Sequence, residues 1–106
     1  RQRQMCIRDS NETQIHSWHL YVIQLKGQWE KARDEFIDKM FQKGIGCSVH
    51  YIPLHLQKYW REKYSLSHKD FPCSQSVYES SVSLPIYSKM TLDDAYNVVK
   101  VIKSLL

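Results

Sequence analysis

The sequence predicts a single α/β domain, an α+β arrangement of two layers in which helices pack on a few-stranded sheet. Two apolar segments are typical of strands, and the last sixteen residues have the amphipathic pattern of a helix. The size agrees, because 106 residues suit one compact domain better than two. With 42% hydrophobic and 25% charged residues, the composition is that of a folded protein.

The first half of the domain is predicted to contain a strand, a helix and a second strand. Residues 18–25, WHLYVIQL, are apolar in both alternating sets, which is typical of a strand covered on both faces. Residues 31–43 have apolar side chains at helical spacing and are followed by Gly44, a common stop signal. These side chains are Ala32, Phe36, Met40 and Phe41. Residues 45–52 alternate again and end at Pro53, which cannot donate to a sheet.

The second half is predicted to be mostly helical. A short helix covers residues 56–64, and another runs from Pro72 to Ser81. The inner side of the first is expected to consist of Leu56, Tyr59, Trp60 and Tyr64. A third short strand is expected near residues 83–87. Because so thin a sheet is marginal in water, the helices or further strands from a longer chain must complete the packing.

The terminal helix has the clearest signal. Thr91 and Asp94 have the spacing of a capping box, in which each side chain satisfies a backbone N–H of the other residue. Acidic residues at its start and lysines near its end suit the helix dipole. Its buried stripe is predicted to be Leu92, Ala95, Val99, Ile102 and Leu106.

Residues 1–15 are predicted to be a non-native leader or a disordered segment, which leaves residues 16–106 as the domain. The first ten residues have neither helical nor strand periodicity. They also place Arg1, Arg3 and Arg8 against Asp9, which is half of the net charge of +4. The remaining charges are nearly balanced and alternate in sign, a pattern that favours a solvated surface over nucleic-acid binding.

Several classes of protein are excluded by what the sequence lacks. No apolar run approaches the roughly 20 residues of a membrane span, and no hydrophobic stretch of a secretory signal follows the basic start. Cys6, Cys47 and Cys73 are too few and too widely spaced for a disulfide framework or a cysteine zinc site. We therefore expect a cytoplasmic protein without membrane contact.

The candidate functional residues are His50, Tyr51 and His55, in the segment SVHYIPLHLQ at the end of the second predicted strand. Strand ends and the loops after them often hold functional groups in α/β proteins. A metal site is disfavoured, because the two histidines have neither an HExxH pattern nor a third ligand nearby. A structural role stays open, in which His50 packs on the sheet and His55 caps the next helix. The residues alone give no complete active site.

Five segments, in order, carry a family resemblance: SWHLYVIQL, RDEFIDKMFQKGIG, SVHYIPLHLQ, FPCSQSVYESSVSLPIY and MTLDDAYNVVKVIKSLL. Together they resemble the C-terminal small domain of DegT-type sugar aminotransferases, which are pyridoxal-phosphate (PLP) enzymes with the aspartate-aminotransferase fold. The resemblance extends from His16 to Leu106, and its collinearity is more specific than any single motif. One departure is Gln75, where the family often has an acid.

The resemblance implies a PLP-dependent transfer of an amino group, usually from glutamate, to a keto nucleotide-sugar in polysaccharide or secondary-metabolite sugar biosynthesis. It also implies that PLP and its Schiff-base lysine belong to a missing N-terminal domain, so that this fragment alone is inactive. The full-length enzyme would be a homodimer. By the same resemblance, His50 is the first candidate for substrate binding, Tyr51 the second and His55 the third.

Two other hypotheses are weighed against this one. The first is a freestanding basic α/β module that binds nucleic acid without catalysis, and it predicts an affinity that falls steeply with salt. The second is an inert domain of the same ancestry that binds no substrate.

Overall fold

The computed structural model describes residue 15 and residues 17–106, which form four helices and two strands joined by short turns. The predicted leader thus lies almost wholly outside the described residues. In chain order the helices and strands are β1 (Tyr21–Gln24), α1 (Arg33–Gln42), α2 (Lys58–Tyr64), α3 (Pro72–Ser80), β2 (Ser81–Leu84) and α4 (Leu92–Leu105). Single 3-10 turns lie at Gly27–Trp29, Leu54–Leu56 and His68–Asp70. The predicted α/β two-layer class is confirmed.

The sheet consists of β1 and β2, which pair antiparallel with Ile23 opposite Val82. The segment predicted as a second strand, residues 45–52, does not form one. It contributes a single bridge, in which the backbone N–H and C=O of Ser48 both bond to Ser83, at 3.0 and 2.8 Å. The prediction was wrong because alternating side chains do not by themselves provide a neighbouring strand with which the backbone can form successive hydrogen bonds. β2 is only four residues long, and the chain leaves its edge directly after Ser48.

The hydrophobic core lies between the sheet and helices α1 and α4. Phe36 and Met40 of α1 and Val82 of β2 are completely buried. Trp29 packs edge-on against Phe36, with ring centroids 5.6 Å apart, and its indole N–H donates to the Leu105 carbonyl at 3.1 Å. This bond connects the turn before α1 to the last turn of α4. The predicted position of α1 is confirmed, but Phe41 is 74% exposed and faces away from the core.

Helix α2 departs further from the prediction. None of its residues is buried, and Tyr59, Trp60 and Tyr64, predicted to face inward, are exposed. A helix of seven residues presents so short a face that the packing around it, and not its own periodicity, decides which side is covered. In the described part of the chain nothing lies across this aromatic side.

The capping box of α4 is confirmed. The Asp94 N–H donates to the Thr91 hydroxyl at 3.2 Å, and the Thr91 N–H donates to the Asp94 carboxylate at 2.9 Å. The bond from the Thr91 N–H to the carboxylate lowers the pKa of Asp94, and the hydroxyl groups of Thr91 and Tyr87 lower it further.

The buried stripe of α4 differs from the predicted one by about one position. Val98 is its buried residue, and Val101, Ile102 and Leu105 pack on the core beside it. Leu92, Val99 and Leu106 of the predicted stripe are exposed. Apolar side chains cover so much of this helix that its periodicity does not predict which of two neighbouring faces is buried. The contacts of α4 with Trp29 and α1 determine the buried face.

The role of Phe36 in the core gives a first prediction. We expect Phe36→Ala to lower the free energy of unfolding by about 3 to 5 kcal/mol, because it leaves a cavity against Trp29. Urea denaturation followed by circular dichroism measures the change. Phe41→Ala, on the same helix, is the control and should change it by less than about 0.5 kcal/mol. Should Phe36→Ala prevent folding, Phe36→Leu gives the graded measurement. Equal losses for Phe36→Leu and Phe41→Leu would contradict this core.

The lowered pKa of Asp94 gives a pH prediction. A carboxylate whose pKa is lower in the folded state than in the unfolded state stabilises the fold above its unfolded pKa, about 3.9. We expect the wild type to be more stable than Asp94→Asn at neutral pH, and the difference to vanish as the pH falls through the folded pKa. Denaturation over this pH range measures it. The neighbouring Asp93→Asn is the control, and a pH dependence equal to that of Asp94→Asn would contradict the capping box.

Candidate functional site

The segment between Ser48 and α2 forms an exposed surface next to the sheet. After the bridge at Ser48 the chain turns outward, and the side chains of His50 and Tyr51 both lie in solvent, Tyr51 with 87% of its surface exposed. Their rings are in edge-to-face contact, with centroids 5.6 Å apart and planes 66° apart. The structure therefore brings these two predicted site residues together as an accessible pair.

The path of this segment follows from Pro53 and the 3-10 turn after it. Pro53 has extended backbone angles, and its carbonyl accepts the Leu56 N–H at 2.9 Å, which closes the turn Leu54–Leu56. The side-chain amide of Gln57 then reaches back and donates to the Ile52 carbonyl at 3.2 Å. These bonds fix the conformation of the backbone just after His50 and Tyr51.

His55, the third predicted site residue, lies on the inner side of this turn. It is only 4% exposed, and its ring stacks on Phe71 with centroids 5.2 Å apart. Its Nε2 is 2.8 Å from the side-chain oxygen of Gln75. His55 therefore does not cap the helix that follows it, because its polar contact is with α3 and not with α2.

The hydrogen bonds of Gln75 indicate which ring nitrogen of His55 is the donor. The amide nitrogen of Gln75 donates to the Glu79 carboxylate at 2.7 Å, so its oxygen is the atom that faces His55. That oxygen can only accept, and Nε2 of His55 must therefore carry the proton. A carboxylate at position 75 would accept the same bond. Gln75 thus keeps the acceptor, and sequence reasoning missed this contact because it joins residues on two different elements.

Cys47 is half-buried, and burial raises the pKa of its thiol, which keeps it in the protonated and less nucleophilic form. Among residue 15 and residues 17–106, no three His, Cys, Asp or Glu side chains converge as metal ligands. No helix in this part of the chain is long and apolar enough to cross a membrane.

The described residues do not fit PLP. A Schiff-base lysine needs an enclosed pocket, and every lysine in this part of the chain is exposed except Lys39. Lys39 is half-buried but engaged, since it pairs with Glu35 at 2.9 Å and lies over the Trp29 ring. An apolar groove of about 470 Å³ lies between α4 and the sheet, and Lys103, which is exposed, is the one charged residue of its lining.

Comparison with known proteins identifies the class. The model of the DegT/DnrJ/EryC1/StrS aminotransferase family matches residues 1–103, and the chain belongs to this family. It is 43% identical over 91 residues to an uncharacterized protein of Methanocaldococcus jannaschii. It is also 34% identical over 92 residues to the spore coat polysaccharide biosynthesis protein SpsC of Bacillus subtilis. Each alignment covers 85% of this chain and 24% of the relative, so the chain spans about a quarter of their length.

Solved structures share the fold. The apo form of the putative sugar aminotransferase Spr1654 from Streptococcus pneumoniae superposes with a TM-score of 0.73 at 23% identity, over 82% of this chain and 22% of that one. Helicobacter pylori PseC, an aminotransferase involved in pseudoaminic acid biosynthesis, gives 0.63 at 22% identity, over 81% and 24%. The predicted family resemblance is confirmed.

The contact between His55 and Gln75 gives a prediction about stability. We expect Gln75→Leu to lower the free energy of unfolding by about 1 to 3 kcal/mol, because the buried Nε2–H of His55 loses its acceptor. Thermal or urea denaturation measures the change. Glu79→Gln keeps a partner for the Gln75 amide and is the control, with an expected change below about 0.5 kcal/mol. An unaltered stability of Gln75→Leu would show that His55 has another partner.

Proposed function

We propose that this chain is the C-terminal small domain of a PLP-dependent aminotransferase that transfers an amino group, from glutamate, to a keto nucleotide-sugar. Membership in a family of aminotransferases supports this, as does the relative named for polysaccharide biosynthesis. The observation that carries the proposal is the exposed pair His50 and Tyr51 at the edge of the sheet. We place the enzyme in the cytoplasm, in polysaccharide or secondary-metabolite sugar biosynthesis.

In this proposal, PLP is bound by a part of the enzyme outside this chain. PLP supplies the electron sink for the transfer, and its lysine would lie outside this chain, since no lysine described here has a suitable environment. The 106-residue chain alone is then inactive. We further propose that the complete enzyme is a homodimer.

His50 is proposed to bind the sugar. An exposed imidazole can donate from one nitrogen and accept at the other, which suits a sugar hydroxyl or an acyl substituent. Tyr51 offers a phenol as donor and acceptor, together with an apolar ring face. The two side chains are adjacent, so one substrate can meet both.

His55 is proposed to contribute from behind this surface. Its ring is fixed by Gln75 and Phe71, and it lies in the turn that follows Pro53. A buried ring held on two sides restrains the backbone of the segment that carries His50. We therefore propose His55 as a positioning residue, although the sequence predicted direct substrate binding for it.

The proposal is tested with His50→Ala in the full-length enzyme. We expect the KM for the keto nucleotide-sugar to rise about 3- to 10-fold, which corresponds to the loss of one hydrogen bond. The absorbance of bound PLP should be unchanged, because other residues hold the coenzyme. Steady-state kinetics and absorption spectra measure both quantities. The exposed His68, on a separate turn, provides the control variant His68→Ala.

Two results would contradict the proposal. Loss of the PLP absorbance in a folded His50→Ala enzyme would place His50 at the coenzyme and not at the sugar. A coding sequence upstream of residue 16 that lacks a lysine-bearing PLP domain would exclude the aminotransferase altogether.

A further inference from the structure

Helix α2 presents a compact aromatic surface that the proposed sugar site does not use. We define the aromatic face of α2 as Tyr59, Trp60 and Tyr64, which are 61%, 37% and 56% exposed. The rings of Trp60 and Tyr64 lie within 7° of parallel, with centroids 5.9 Å apart. The Tyr59 ring stands at 85° to that of Trp60. The three rings therefore form one ordered cluster and are not scattered single residues.

This surface is unusual for so short a helix. Seven residues do not form a stable helix in water by themselves, and α2 buries none of its side chains. Three contiguous exposed aromatic rings are typical of a binding surface, because single exposed apolar residues are common but clusters are not.

The charges on α2 indicate what kind of ligand fits. Lys63 lies 5.4 Å from the ring centroids of both Tyr59 and Tyr64, and its ammonium donates to the Tyr59 hydroxyl at 3.2 Å. Lys58 and Arg61 are exposed on the same helix and make no ion pair within the described residues, whereas Glu62 is its one acid. An apolar partner would remove the Lys63 ammonium from water without giving it a counter-charge, which is costly.

A ligand that satisfies both features has a flat aromatic ring joined to an anion. Nucleobases stack on aromatic side chains whatever their sequence identity, and phosphate oxygens are strong acceptors for lysine. We propose that the aromatic face of α2 binds the nucleoside diphosphate part of the substrate, with the base stacked on Trp60 or Tyr64 and the diphosphate paired with Lys63.

The location of α2 agrees with this proposal. The helix begins directly after the segment that carries His50 and Tyr51, and the bond from Gln57 to the Ile52 carbonyl ties the two together. A nucleotide bound to α2 would direct its attached sugar towards His50 and Tyr51. In this respect the inference rests on the proposed function and names the subsite that would recognise the nucleotide.

The direct experiment is an NMR titration of the 106-residue chain with UDP, observed at the indole N–H of Trp60. Uridine and inorganic pyrophosphate are titrated separately, because they carry the base and the anion alone. We expect UDP to shift the Trp60 signal at lower concentration than either. Trp60→Ala should weaken UDP binding about 10-fold, the effect of losing one stacking partner. Because this variant has no indole at position 60, its binding and that of the control are followed at the backbone N–H signals of α2. Lys63→Met should weaken UDP binding but leave uridine binding unchanged.

Tyr96→Ala is the matched control, because Tyr96 is an exposed aromatic residue on α4. The proposal is overturned if UDP leaves the Trp60 signal in place, or if Trp60→Ala and Tyr96→Ala bind UDP equally well. It is also overturned if, in the full-length protein, Trp60→Ala lowers the melting temperature or the oligomeric state and leaves the KM of the nucleotide-sugar unchanged. The face would then be a packing surface. The titration needs no amination, so its failure is distinct from a failure of the proposed function.

Discussion

The structure depends on strand β2, because both of its edges form backbone hydrogen bonds and three of its four residues are buried. One edge pairs with β1, and the other accepts the bridge from Ser48. On its face, Val82 is completely buried in the core that contains Phe36 and Met40. One four-residue strand therefore fixes where the helices pack and where the segment with His50 leaves the sheet. Because burial and backbone pairing coincide at Val82 and Ser83, a deeply buried strand sets the point at which the segment with His50 leaves the sheet.

The candidate site combines an exposed surface with a fixed support. His50 and Tyr51 lie in solvent, whereas His55, five residues after His50, is enclosed by Phe71 and Gln75. Under the proposed function, this arrangement would separate sugar recognition by His50 and Tyr51 from positioning by His55. An exposed group can bind a ligand with little loss of freedom when the backbone beneath it is already restrained. The buried bond between His55 and Gln75 provides that restraint.

The unpartnered surfaces fit a chain that spans about a quarter of its relatives' length. The groove between α4 and the sheet is apolar, whereas the aromatic face of α2 is accompanied by cations. Two surfaces with such different chemistry suit different occupants. The groove has one cation in its lining, Lys103, whereas α2 carries Lys58, Arg61 and Lys63.

Local signals in the sequence determined the helix of residues 33–42, the proline start of α3 and the capping box of Thr91 and Asp94, because each depends on neighbours within four residues. The family resemblance and the choice of His50 and Tyr51 also came from the sequence. The tertiary structure alone decided that residues 45–52 form one bridge, that α2 turns its aromatic residues outward, and that His55 is buried against α3. These features depend on parts of the chain that are distant in sequence, and alternation or periodicity in one segment holds no information about the segment that will cover it.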